Sequence, residues 1–150
     1  MVAVRGAVER FLPVLDLSGA ALARARTRLG AAADAVTWVE ADVTRAELPA
    51  AAYDVWHDRA VFHFLTDPGD RARYADVAAH ALRPGGTLII ATFAPEGPTR
   101  CSGLDVVRYA PDELARELGD RFSLRRGFGD THRTPSGAEQ HFTWAVFRRV

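Results

Sequence analysis

The sequence predicts an α/β domain whose sheet is mostly parallel and ends in an antiparallel hairpin. Three observations carry this. Short apolar, β-prone runs at residues 14–17, 36–41, 53–56 and 87–93 alternate with stretches of helical periodicity, which is the pattern of βα units. The run Thr87-Leu88-Ile89-Ile90-Ala91-Thr92-Phe93 is almost continuously apolar, as expected of a central strand covered on both faces. Beyond residue 121 the pattern changes to two strands, 122–131 and 140–149, joined through Pro135-Ser136-Gly137 as a hairpin.

Composition narrows the class of function. A chain of 150 residues with 48% hydrophobic content has enough apolar surface for the core of a single domain, here spanning residues 1–150. The formal net charge is zero and acids and bases are interspersed, so nothing in the overall charge favours nucleic acid or an anionic membrane. All 19 basic residues are Arg, which we read as compositional bias and not as a phosphate-binding device. The single cysteine, Cys101, excludes an intrachain disulfide, a CxxC pair and a zinc site built on several thiolates. It has no motif that would make it a nucleophile. With no long apolar run and no signal-peptide pattern, a cytoplasmic setting is expected.

The elements follow in order. Val4, Val8, Phe11 and Leu12 stand at i, i+4, i+7 and i+8, predicting a short amphipathic helix within residues 1–12 that Pro13 stops. Residues 14–17 form a strand, Ser18 caps a helix reaching Leu29, and Gly30 ends it. Residues 36–41 form the next strand, ended by Asp42. Thr66-Asp67-Pro68 opens a helix with Tyr74, Val77, Ala78, Ala81 and Leu82 on one face, and Leu82-Arg83-Pro84-Gly85-Gly86 breaks it. Residues 95–102 read as a loop. Pro111 starts a short helix with Leu114 and Leu118 inward, and Gly119 ends it.

One stretch stands out chemically. Tyr53-Asp54-Val55-Trp56 runs without a break into His57-Asp58-Arg59 and then into Ala60-Val61-Phe62-His63-Phe64-Leu65. This is a strand opening into a polar elbow, and in open α/β sheets ligands bind beyond the carboxyl ends of the strands. Charged residues at a strand end also serve simply to meet water, so the stretch alone does not assign a site.

The order strand-Asp16-helix, strand-Asp42, strand-His57-Asp58, helix, Leu82-Arg83-Pro84-Gly85-Gly86, strand, helix, hairpin resembles the class I S-adenosylmethionine-dependent methyltransferases over roughly residues 14 to 150. The most specific part is the run from Leu82 to Ile90, typical of the step into that family's fifth strand. The closing hairpin separates it from nicotinamide-binding domains. The resemblance implies a three-layer Rossmann-like fold, S-adenosyl-L-methionine as cofactor and a small-molecule acceptor. It also implies cofactor contacts at Asp16, Leu17, Asp42, Val43, His57 and Asp58. Asp16 takes the place of the acid that bonds the two ribose hydroxyls, and Asp42 that of the acid receiving the adenine amine, beside the Val43 backbone. A carboxylate accepts two hydrogen bonds from a diol and one from an exocyclic amine, so both roles suit the residue type.

The chain also departs from the family. The family's first strand and glycine-rich loop lie about 20 residues before the strand-two acid, yet only 15 residues precede Asp16 and Gly6 stands alone among them. The expectation is therefore a methyltransferase fold with its first strand missing, weak in cofactor binding and prone to self-association through exposed strand edges. The alternative function is a catalytically inactive methyltransferase-like remnant acting as a binding or interaction protein.

Methyl transfer from a sulfonium is an in-line displacement that needs orientation first and a base only when the acceptor must lose a proton. His57 and His63 are the candidate catalytic bases, since imidazole titrates near neutrality. Trp56, Phe62 and Phe64 are candidates to face the sulfonium. Arg100, Arg108, His132 and Arg133 lie on segments that shape the acceptor pocket in the family, and the three arginines would together suit an acidic acceptor.

Overall fold

The computed structural model describes the backbone of residues 2–4 and the whole of residues 12–150. Its elements are β1 (Val2–Val4), β2 (Leu12–Asp16), α1 (Gly19–Leu29), β3 (Val36–Glu40), β4 (Tyr53–Arg59), α2 (Pro68–Ala81), β5 (Leu82–Phe93), β6 (Arg100–Cys101), β7 (Leu104–Asp105), α3 (Pro111–Leu118), β8 (Phe122–Arg133) and β9 (Glu139–Arg149). Among the described residues, seven strands form one sheet in the order β3-β2-β1-β4-β5-β9-β8. β2 pairs parallel with β3 and β4 with β5, while β9 lies antiparallel between β5 and β8. This is the mixed α/β sheet with a terminal hairpin that the alternation of elements predicts.

Two expectations for the N-terminus are corrected. Val2–Val4 is a strand and not part of a helix, and Leu12 opens β2 with Pro13 inside it. The remainder of the expected helix, residues 5–11, lies outside the described residues. The slot between β2 and β4, expected to be empty, is taken by β1, which pairs antiparallel with Val14 on one side and with Val55, Trp56 and His57 on the other. Backbone groups beside apolar faces demand partners, and three residues in extended form supply them along the middle of β4. That pairing removes the open inner edge on which the expected self-association rested.

Capping explains where the helices begin. The Ser18 hydroxyl accepts the Ala21 N–H at 3.2 Å, and the Asp67 carboxylate accepts the Asp70 N–H at 3.1 Å with Pro68 next in line. At α3 the Glu113 carboxylate reaches back to the Ala110 N–H at 2.7 Å. The small faces of α2 (Ala75, Ala78, Ala79, Ala81) let it sit close on the sheet, where Tyr74 meets Trp56 and belongs to one main core with Leu82, Leu88, Ile90 and Phe147.

α2 ends at Ala81, so the helix breaks at Leu82-Arg83-Pro84-Gly85-Gly86 as expected, and the same residues make an irregular start to β5: Tyr53 pairs with Leu82 and Val55 with Thr87, so the intervening residues bulge. Gly86 is required there, because a Cβ would lie 2.9 Å from the Arg83 carbonyl oxygen and 3.2 Å from that of Asp54. Gly86→Ala is expected to destabilise the protein by about 1–3 kcal/mol through overpacking. Gly129→Ala, whose Cβ would meet only the Phe142 carbonyl at 3.9 Å, is expected to stay within about 0.5 kcal/mol of the parent. Urea midpoints of the two variants check the contrast.

Candidate active site

β2 and β3 exit side by side, and the Ala41 N–H donating to the Asp16 carbonyl at 3.1 Å holds the exits together. Asp16 is the last residue of β2, and Asp42 follows β3 by two residues. The two acids therefore converge on one cavity of about 360 Å³ walled by Leu15, Leu17, Ala41, Val43, Ala60, Val61, Phe64, Leu65 and Leu104. Apart from Asp16 and Asp42, its walls are apolar side chains. Asp16 Oδ1 accepts the Ser18 N–H at 2.8 Å. Asp42 Oδ1 accepts both the N–H and the hydroxyl of Thr44 at 2.8 Å. Those two bonds, the backbone one first, hold the Asp42 carboxyl below the usual carboxylate value.

The opposite wall is the elbow after β4, and its shape comes from Asp58. This carboxylate is fully buried. Its Oδ1 accepts the Val61 N–H at 3.0 Å, and its Oδ2 accepts the Phe62 N–H at 3.2 Å and the Tyr74 hydroxyl at 2.8 Å. Trp56 Nε1–H donates in turn to the Tyr74 oxygen at 3.0 Å. Burial pushes the Asp58 carboxyl up, against the pull of its three donors, and pushes the Tyr74 hydroxyl well above its ordinary value. Ala60 turns the chain with φ of 63°, a left-handed conformation unusual for a residue with a Cβ, while its N–H stays bonded to the Ala91 carbonyl at 2.9 Å.

Of the residues expected to contact cofactor, the structure brings Asp16, Leu17, Asp42 and Val43 together in this cavity. It does not bring His57 or Asp58 there. Asp58 lies behind the wall as its support, and His57 points to the other sheet face against Trp144, with ring centroids 5.8 Å apart. Asp58 and Arg59 also face opposite ways; the Arg59 guanidinium lies 4.9 Å over the Phe142 ring.

His63 is fully buried between Phe64 and Phe93. The Phe93 N–H donates to its Nδ1 at 3.4 Å, so the neutral ring carries its proton on Nε2, which has no hydrogen-bond partner among the described residues. Burial lowers its pKa to about 4. Among the three aromatics proposed to face a sulfonium, Phe64 lines the cavity, whereas Trp56 and Phe62 are wholly inside the core.

The expected acceptor-binding arginines are separately engaged. Arg100 pairs with Asp105 at 3.0 Å, Arg108 donates to the Pro95 and Gly97 carbonyls at 2.6 and 3.2 Å, and Arg133 pairs with Glu139 at 2.7 Å. His132 stacks edge-on near Phe142, 6.4 Å away. None of the four lines the cavity. Leu104, two residues beyond the 95–102 loop, carries no signal in the sequence that marks it as part of a site.

An α/β sheet with acids at two adjacent strand ends, an elbow facing them and a closing hairpin defines the class of fold that the resemblance implied. Residues 3–86, more than half of the chain, match the family described as "Methyltransferase domain", and the chain belongs to that family. Uncharacterised methyltransferases of Mycobacterium bovis and Mycobacterium tuberculosis are 32% identical over 83 residues, which is 55% of this chain and 40% of each relative. The match thus spans less than half the length of those relatives. The fold is also that of an S-adenosylmethionine-dependent methyltransferase from Methanosarcina mazei (TM-score 0.73, 14% identity, 92% of this chain and 81% of that one). It is shared too by the 1,6-didemethyltoxoflavin-N1-methyltransferase of Burkholderia thailandensis (TM-score 0.69, 22% identity, 92% and 60%), solved with 1,6-didemethyltoxoflavin and S-adenosylhomocysteine bound.

Two consequences are measurable. Tyr74→Phe removes a donor from a buried carboxylate and the acceptor of Trp56, so it is expected to cost about 1.5–3 kcal/mol in urea unfolding. For His63, the folded pKa lies below the unfolded one, so its contribution to stability is complete above pH 6.5 and is lost as pH falls towards about 4. That shift corresponds to about 3 kcal/mol. His63→Gln keeps an acceptor for Phe93 but cannot ionise, and the parent-minus-variant stability difference should shrink across that window on acidification.

Proposed function

We propose that this chain is an S-adenosylmethionine-dependent methyltransferase for a small-molecule acceptor, with the cofactor seated in the cavity between Asp16 and Asp42. The observation that carries the reading is the convergence of these two carboxylates from neighbouring strand ends on one otherwise apolar cavity. The side-chain chemistry fits: Asp16 can accept from a ribose diol, Asp42 can accept from an exocyclic amine, and Leu17, Val43 and Phe64 offer apolar contact to a purine and its sugar. When bound, the cofactor supplies an electrophilic methyl group on a sulfonium.

What the chain's own residues contribute is orientation and exclusion of water. Ala60, Val61, Phe64 and Leu65 form a wall fixed from behind by Asp58, and a rigid wall holds reactants on the line of attack. Proton removal by His63 finds no support in its burial or its low pKa, and His57 lies on the other side of the sheet. An acidic acceptor clamped by Arg100, Arg108 and Arg133 finds none either, since each is bonded to a different partner. These features favour an acceptor that is uncharged and brings its own available lone pair.

Titration calorimetry with S-adenosylhomocysteine tests the seat. Asp16→Ala is expected to weaken binding about a hundredfold, since two hydrogen bonds to a charged acceptor are lost, and Asp42→Ala about tenfold. His57→Ala should leave affinity unchanged. Equal affinity for the parent and Asp16→Ala would move the ribose site elsewhere.

A further inference from the structure

Leu104 is an apolar side chain that is 62% exposed and yet forms part of the cavity wall. It stands on a hairpin made only of β6 and β7, paired Arg100 with Asp105 and Cys101 with Leu104. Hairpins this short are marginal in water, so something must hold this one in shape. Its two-residue turn uses left-handed backbone at both positions, Ser102 with φ of 51° and Gly103 with φ of 81°, as a tight turn of this hand requires. Arg100 braces it from the side: its Nε pairs with Asp105 at 3.0 Å and its NH2 donates to the Gly103 carbonyl at 2.6 Å.

The base is tied as well. The Val106 N–H donates to the Thr99 carbonyl at 3.1 Å, and the Val107 N–H donates to the His63 carbonyl at 2.8 Å. The second bond joins the hairpin to the elbow that forms the neighbouring wall. The result is a braced arm presenting one leucine to the mouth of a cavity, with most of that side chain in water. A leucine in that position gains free energy when a ligand covers it.

We propose that Leu104 closes over the S-adenosyl cofactor, and that Arg100 is a positioning residue that acts through Leu104 by holding the turn. This rests on the cofactor seat proposed above. It gives Arg100, first read as an acceptor contact, a different part: its guanidinium is spent on the hairpin, and the neighbouring leucine makes the contact.

Calorimetry with S-adenosylhomocysteine on the parent, Leu104→Ala, Arg100→Ala, the double variant and Asp16→Ala tests this, with thermal melting alongside. Leu104→Ala is expected to bind about tenfold more weakly with an unchanged melting midpoint, because the residue is largely exposed without ligand. Arg100→Ala should weaken binding in the same direction, and the double variant should be no weaker than Leu104→Ala alone, since both changes remove one contact. Leu104→Met, which keeps the apolar reach, should restore most of the affinity. Parent affinity in Leu104→Ala would overturn the proposal, as would Arg100 and Leu104 effects that add, or a raised acceptor KM with cofactor affinity intact. If Asp16→Ala weakens binding while Leu104→Ala does not, this inference fails and the cofactor seat stands. No binding by the parent overturns the seat and the inference together.

Discussion

Moving a carboxylate out of water costs several kcal/mol unless its lone pairs are met by donors. Asp58 is wholly buried and meets that demand with two backbone N–H groups and a tyrosine hydroxyl. The arrangement is directional in a way apolar packing is not. The backbone at Val61 and Phe62 must turn back towards the strand end to reach the carboxylate, and this turn presents Ala60, Val61, Phe64 and Leu65 to the cavity. Tyr74 and Trp56 extend the network to α2 and β4, so the position of the helix and the shape of the wall are set by the same carboxyl group.

The elbow is anchored at its far end by a second polar device. Arg71 on α2 donates to the carbonyls of Leu65 at 3.1 Å and Thr66 at 2.9 Å, while its Nε pairs with Glu117 on α3 at 2.7 Å. Between Asp58 at one end and Arg71 at the other, the segment from Ala60 to Leu65 has little freedom. Such rigidity suits a surface that must hold a reacting group in line, where small displacements cost rate. The left-handed Ala60 fits the same picture, since strained backbone persists only where its surroundings over-determine it.

The short strand β1 shows how a sheet tolerates an irregular centre. An antiparallel three-residue segment completes the pairing between β2 and β4 without reproducing the parallel direction of its neighbours. Hydrogen-bond satisfaction constrains the spacing of strands more strictly than their direction. β4 and β5 keep their register beyond Val55, and with it the placement of the elbow.

By itself the sequence determined the α/β class, the caps at Ser18 and Asp67, the terminal hairpin and the pairing of strand ends with Asp16 and Asp42. Each of these is written in local spacing: period-two and period-3.6 patterns, a capping side chain, an acid at the end of an apolar run. Tertiary structure alone decided which polar residues reach a ligand cavity. Asp58 and His63 belong to the same polar elbow in the sequence, yet the fold sinks both into the core, because alternation along β4 and the turn after it set their direction relative to α2 and β5. Arg100, Arg108 and Arg133 look alike as exposed cations, and only the fold supplies the carbonyls and carboxylates that occupy them. Leu104 has no local signature, because what distinguishes it is the cavity beside it, built by strands far away in the chain.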